Sequence, residues 1–328
     1  MDGNRLNLIS SVNGHPPRDW SAIRAGPDGG CAVAHGNIVR VYNWMLEEHA
    51  PLNLDYQRVN DIGWIDTENI VLSSSQVDGG VGLFSSSTGD LKQRYKLNCE
   101  NDEVKGFAAG ALCFNSDSKI FVSCSGTNNG GIGVWDQVTG KQIDFFNSSG
   151  EISLGDANKI QWLDGRKCLF VSRLSSKTPD KNHISLLDFR DKSIVTCRSI
   201  KHGQCDVVDA TPMDQSYSIC VVEKHEILGF VDLRNTGIAV RWSSDCRAGY
   251  PQNSNPKLTF HGGQIFCSMN DKISVYEGAL DIWIMTSCLK RSEGGSVRDF
   301  SIGGDRLFAL HSEENVFDVW ETPSAPII

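Results

Sequence analysis

The residue types that most often carry chemistry are all present in this sequence, and their spacing argues against most of what they could do. Two glycine clusters, Gly79-Gly80-Val81-Gly82 and Gly130-Gly131-Ile132-Gly133, look like the start of a phosphate-cradling loop. Such a loop needs a third glycine and a helix whose first amides meet the anion. Each cluster lacks that glycine and runs into sequence that reads as a strand, so these are hairpin glycines. His202-Gly203-Gln204-Cys205 pairs a base with a thiol only if the chain folds tightly on itself, and an ordinary loop is the simpler reading. None of the eleven cysteines lies two to four residues from another, as paired zinc ligands do, and the count is odd in a chain with no secretory signal. Cys113, Cys124, Cys168, Cys220 and Cys267 fall inside apolar runs, where a reduced thiol behaves as a small buried hydrophobe. Walker, nucleophile-elbow, HExxH and EF-hand patterns are absent. Asn147-Ser148-Ser149 matches a glycosylation acceptor but is silent without a signal peptide. No catalytic, cofactor-binding or metal-ligating residue is assigned, and enzymatic activity is not expected.

The elements around these residues are short and regular. In Ala111–Phe146, apolar runs at Ala111–Phe114, Lys119–Cys124, Gly131–Asp136 and Lys141–Phe146 are separated by Asn, Ser, Asp and Gly. Runs of this length, rich in Val, Ile and Phe and bounded by turn residues, predict four antiparallel strands joined by hairpins. Trp135-Asp136 at the end of the third run marks a WD-type propeller blade.

That ending recurs at Tyr42-Asn43, Phe84-Ser85, Leu187-Asp188, Val231-Asp232, Tyr276-Glu277 and Trp320-Glu321, at intervals of roughly 42 to 52 residues. The turn between first and second strands repeats as Pro27-Asp28-Gly29, Asp66-Thr67, Ser116-Asp117, Asp164-Gly165, Met213-Asp214, Gly262-Gly263 and Gly304-Asp305. Glycine accepts positive φ there, and aspartate can bond its own backbone two residues on. Two independent landmarks predict an all-β, seven-bladed WD-like β-propeller, with six and eight blades as the alternatives. A repeat architecture spreads one core along the chain, so residues 1–328 read as a single domain.

The termini bear on closure. Leu6–Val12 is an extra strand before Pro16-Pro17, whereas Pro323 and Pro326 deny the last blade a fourth strand of its own. Leu6–Val12 is therefore expected to pair with the blade built from Val297–Ile302, Arg306–Ser312 and Asn315–Trp320. A formal charge of −9 with no Lys/Arg run longer than a pair argues against nucleic acid as partner. No apolar stretch approaches the ~20 residues of a membrane helix, so no membrane association is expected. The first twenty residues hold no h-region or cleavage site, which predicts a cytoplasmic or nuclear protein.

The runs Asp19–His49, Leu54–Ser75, Gly131–Phe146, Ile184–Lys192 and Asp299–Glu321 resemble the C-terminal propeller region of plant BTB/POZ-domain proteins of the potassium-channel-tetramerisation type, a likeness that covers essentially the whole chain. The resemblance implies an adaptor whose BTB domain self-associates and recruits a cullin-type ubiquitin ligase while the propeller selects the substrate. That BTB domain precedes the propeller and is not in this sequence, so neither self-association nor cullin recruitment is carried over to any of these residues. The Gly-His dipeptide of WD repeats occurs once, at Gly14-His15, so the histidine-centred network of standard blades is not expected in most of these.

Two endings, Leu187-Asp188-Phe189-Arg190 and Val231-Asp232-Leu233-Arg234, are similar to the WD-x-Arg ending with which some WD receptors dock the adaptor of cullin–damaged-DNA-binding-adaptor ligases. Arg190 and Arg234 are thus candidate partner-binding residues, and a hairpin cap or a pair with their own aspartates is the competing role. The expected partner is a protein, held by loops among Gln76–Gly80, Asn101–Gly106, Gly126–Gly130, Ser175–Lys181, Lys201–Asp206 and Cys246–Pro256. A propeller enzyme with acids and histidines converging on the axis is the alternative class, because blades bring distant residues together.

Overall fold

The computed structural model describes residues 8–13, 20–49, 51–53, 58–74, 80–96, 108–115, 119–125, 131–147, 156–164, 167–173, 182–188, 193–198, 201–202, 205–214, 217–223, 227–234, 240–243, 256–279, 282–290, 295–311 and 316–322. Every regular element among them is a β-strand, and none forms a helix long and apolar enough to cross a membrane. By contact the chain divides into two compact units: Met1–Arg18 with Ile200–Ile328, and Asp19–Ser199.

After β1 (Leu8–Asn13), the Asp19–Ser199 unit holds four antiparallel meanders of four strands each. They are β2 (Trp20–Ala25), β3 (Cys31–His35), β4 (Ile38–Tyr42) and β5 (Leu52–Asn53); then β6 (Val59–Asp66), β7 (Asn69–Ser74), β8 (Val81–Ser85) and β9 (Leu91–Tyr95). The third meander is β10 (Ala108–Phe114), β11 (Lys119–Ser125), β12 (Gly131–Asp136) and β13 (Gln142–Asn147). The fourth is β14 (Asp156–Asp164), β15 (Lys167–Arg173), β16 (Asn182–Asp188) and β17 (Ser193–Arg198). Trp135-Asp136 closes the third strand of its sheet, as its sequence position predicts.

The other unit holds three sheets. The first has five strands: β18 (Lys201–His202), β19 (Cys205–Pro212), β20 (Ser218–Glu223), β21 (Leu228–Asp232) and β22 (Val240–Trp242). β23 (Leu258–His261), β24 (Gln264–Met269), β25 (Lys272–Ala279) and β26 (Ile282–Lys290) form the second. β27 (Val297–Gly303), β28 (Arg306–His311) and β29 (Val316–Glu321) form the third, and β1 lies antiparallel to β29 from Leu8 opposite Trp320 to Asn13 opposite Val316. Lys201–Asp206, expected as a connecting loop, instead folds back on itself with Lys201 opposite Asp206 and His202 opposite Cys205. Between β23 and β24, Gly262 and Gly263 both have positive φ, 57° and 77°, the requirement of the tight hairpin turn that matches strand twist.

Alternating side chains leave the sheets on opposite faces, and both faces are covered. Ile70 and Leu72 of β7 pack with Ala32, Val39 and Val41, while the intervening Val71 packs with Leu112 and Trp135. In the other unit Cys267 joins Cys220, Val222 and Trp283, while its neighbour Phe266 joins Phe300, Leu307 and Trp320. Central strands buried on both faces read as continuous apolar runs, which is why they stand out in the sequence.

Candidate functional site

The side-chain chemistry begins in three strands, β6, β19 and β27, that each lie near the start of their sheet. β6, β19 and β27 carry register shifts at Val59/Asp61, Val207/Asp209 and Val297/Asp299, so a Val-x-Asp triplet places an aspartate just past each bulge. Asp61 is buried, takes the Ile62 N–H at 2.9 Å and the Leu112 N–H of the next sheet at 3.0 Å, and pairs with Arg24 of the preceding sheet at 2.6 Å. Asp209 repeats the arrangement with Ala210 N at 2.8 Å and Leu258 N at 2.6 Å, and Asp299 receives Lys257 Nζ at 2.6 Å. These carboxylates tie neighbouring sheets together. The repeated Val-x-Asp, at Val59–Asp61, Val207–Asp209 and Val297–Asp299, is the sequence signal that marks them.

At the opposite side of this chemistry lie the turns. Ala25 pairs with Cys31 and Cys31 with Tyr42, so the Gly26–Gly30 and Asn43–Glu48 turns share one end of their sheet. A Cβ on Gly30 would meet the Tyr42 carbonyl oxygen at 2.2 Å, so the two turns are in direct contact. In the second turn Asn43 Oδ1 accepts the Met45 N–H at 2.9 Å and the Glu47 N–H at 3.0 Å, and Asn43 O accepts from Leu46 N at 2.9 Å. Leu46 takes φ +65°, the one positive value at a non-glycine among the described residues. Glu48 pairs with Arg40, and burial together with Glu48 raises the Tyr42 phenol far above its usual range. This tied-down turn holds Trp44 57% and Met45 53% exposed.

The next sheets present the same end. Asp66 accepts from Glu68 N and Asn69 Nδ2, and Ser86 bonds the Thr67 and Glu68 carbonyls, joining its two turns. Asp136 caps its turn by accepting Thr139 N at 2.7 Å, Thr139 Oγ1 at 2.8 Å and Val138 N at 3.1 Å, and these donors hold its carboxyl below the usual carboxylate range. Trp135 is fully buried and donates Nε1 to Lys96 O at 2.9 Å, and Tyr95 donates its hydroxyl to Gln137 O at 3.0 Å. Burial, with the Asp136 charge, pushes the Tyr95 phenol up to about 12.

Of the two arginines singled out from sequence, Arg190 lies outside the described residues. Arg234 is turned onto its own strand end: Nη2 lies 2.6 Å from Asp232 Oδ2, Nε 3.0 Å from Oδ1, and Cζ sits 3.7 Å from the centre of the Tyr217 ring. The Arg234 hydrogen bonds lower the Asp232 carboxyl to about 2. Most of the expected contact loops, 76–79, 101–106, 126–130, 175–181, 203–204 and 246–255, lie outside the described residues. No group of three or more His, Cys, Asp or Glu among the described residues could hold a metal ion. Cys31, Cys113, Cys220 and Cys267 are buried free thiols, and Cys288 is exposed. His311 Nε2 lies 3.1 Å from Asp318 Oδ2, both buried.

Four-stranded antiparallel meanders that pack face to face, with their Asx and glycine turns gathered at one end, are the blades of a β-propeller. Residues 14–322 match the family described as At2g24240-like, C-terminal beta propeller, and the chain belongs to that family. It is 57% identical to BTB/POZ domain-containing protein At2g24240 of Arabidopsis thaliana, and 57% identical to BTB/POZ domain-containing protein At4g30940 of the same plant. Each match covers 100% of this chain and 77% of the relative. BTB/POZ domain-containing protein At5g41330, also from Arabidopsis thaliana, is 22% identical over 98% of this chain and 76% of its own length. A chain in the crystal structure of the mitotic checkpoint complex superposes with a TM-score of 0.74, covering 99% of this chain and 95% of that one. At 15% identity that likeness concerns the fold alone.

Proposed function

We propose that this chain is a non-catalytic protein-recognition propeller and serves as the substrate-selecting part of a BTB-type cullin ubiquitin-ligase adaptor, in the cytoplasm or nucleus. In this reading the sheets close into one seven-bladed ring over residues 1–328, and β1 completes the last blade. The observation that carries it is the family match over 14–322 to a propeller whose 57%-identical relatives are BTB/POZ domain-containing proteins. The turn surface supports it, because a rigid scaffold holding exposed aromatic and charged side chains is built for contact rather than for turnover. Docking to a damaged-DNA-binding adaptor through Arg234 has less support, since that guanidinium is engaged by Asp232 and Tyr217.

The test is affinity capture from plant cells with the tagged chain, alone and fused behind a BTB domain of its family. The expected result is a common set of captured proteins in both, with cullin components added only in the fusion. Failure of the fusion to add cullin components refutes the ligase role, and failure of both to retain any specific protein refutes recognition itself.

A further inference from the structure

We infer that the turns of the first two sheets of the Asp19–Ser199 unit, β2–β5 and β6–β9, form the docking surface, and that it takes a basic protein segment bearing an apolar anchor. This rests on the protein-recognition reading and adds the place and the chemistry of the partner. Trp44 and Met45, at 57% and 53% exposed, stand side by side on the Asn43–Glu48 turn, where a monomeric protein would ordinarily bury a tryptophan. Tryptophan is the residue type most enriched at energetic centres of interfaces, and methionine adapts to irregular apolar partners.

Charge selects the partner. Asp28, Glu47, Asp66, Glu68 and Asp90 are exposed on the turns at this end. None of the five is ion-paired among the described residues. By contrast Asp61, Asp299, Asp232 and Asp271 are each matched, by Arg24, Lys257, Arg234 and Lys290. Among the described residues of these two sheets, the exposed cation beside the turns is Lys92, which is turned onto Asn69, and Arg40 is taken by Glu48, which leaves an acidic rim around an apolar centre. Such a surface attracts Lys and Arg and repels nucleic acid and anionic lipid headgroups.

Selection of phage-displayed random short peptides against the full chain tests this. Enriched peptides are expected to combine a large apolar residue with flanking Lys or Arg, and to bind more weakly as ionic strength rises. The double variant Trp44→Ala with Met45→Ala and the double variant Glu47→Lys with Glu68→Lys are each expected to weaken binding of the selected peptides about tenfold or more. All four side chains are exposed, so thermal melts that match the parent establish that each variant is folded. Enriched peptides without basic residues, affinities untouched by both variants, or no enrichment at all would overturn the inference. If the variants bind as the parent does while the tagged chain still captures proteins from cells, the surface is wrong and recognition stands; if capture fails as well, the recognition reading falls with it.

Discussion

Replacing Asp61 by alanine tests whether the carboxylates on β6, β19 and β27 hold neighbouring sheets together. The substitution removes the acceptor for two main-chain donors, Ile62 N at 2.9 Å and Leu112 N at 3.0 Å, at a site 7% exposed. A buried donor left without a partner costs about 1–3 kcal/mol, so the two together cost about 2–6 kcal/mol. The loss of the Arg24 pair adds little, because that side chain is 31% exposed and water replaces the carboxylate. On the proposed single-ring reading, 328 residues unfolding together at ~2.1 cal/mol/K each give about 0.7 kcal/mol/K, so Tm falls by about 3–9 °C. Asp61→Asn keeps one acceptor oxygen for one of the two amides and loses about half as much. The assay is calorimetry at neutral pH with Glu68→Ala, an exposed side chain, as the control. An Asp61→Ala chain melting with the control, within about 1 °C of the parent, would refute the reasoning.

Three further outcomes are expected. Asp232 titrates at about 2 rather than the usual value of about 4, so its pair with Arg234 is fully formed above about pH 4 and is lost as the pH falls through about 2. Carboxyl NMR on the parent and on Arg234→Ala should show this titration moving upward in the variant, and an unmoved titration would show that the guanidinium does not set it. Under native conditions a thiol reagent should modify Cys288 far faster than Cys31, Cys113, Cys220 and Cys267, with mass spectrometry of the digested chain as readout. Deleting residues 1–13 removes β1 and leaves β29 paired with β28 alone, so the truncated chain should melt several degrees lower; an equal melt would mean that the β1–β29 pairing contributes nothing to stability.

Much of the strand pattern is legible because its signals are local. Gly131–Asp136 reads as a strand from six residues and is one, and Gly262-Gly263 reads as a turn because two successive positive φ values are what glycine permits. Local signals fade where a neighbour completes the element. β14 begins at Asp156, several residues before the apolar run at Ile160, because its early residues are held by ladder partners such as Arg173 opposite Asp156. His202 and Cys205 read as a loop because a two-residue strand has too few side chains to declare itself.

The candidate surface was the less legible part. Arg234 was singled out by its position after an aspartate, and the sequence could not say whether the guanidinium faces a partner or folds back; Tyr217, brought alongside by the β20–β21 pairing, decides it. Trp44 follows an apolar strand and would be read as core, and it is the left-handed Leu46 and the Asn43 hydrogen bonds that turn it outward.

The amino-acid order by itself determined the class: a period of 42 to 52 residues, short β-branched and aromatic runs, and Asp-Gly punctuation admit only repeated small antiparallel sheets, and long matching runs determined the family. Which charges are matched inside the molecule and which stay exposed was decided by the tertiary structure alone. Asp61 and Asp66 stand five residues apart on one strand, yet one is matched by groups from two other sheets and the other faces solvent. Electrostatic pairing depends on distance in space, and chain folding sets that distance after the local code is exhausted.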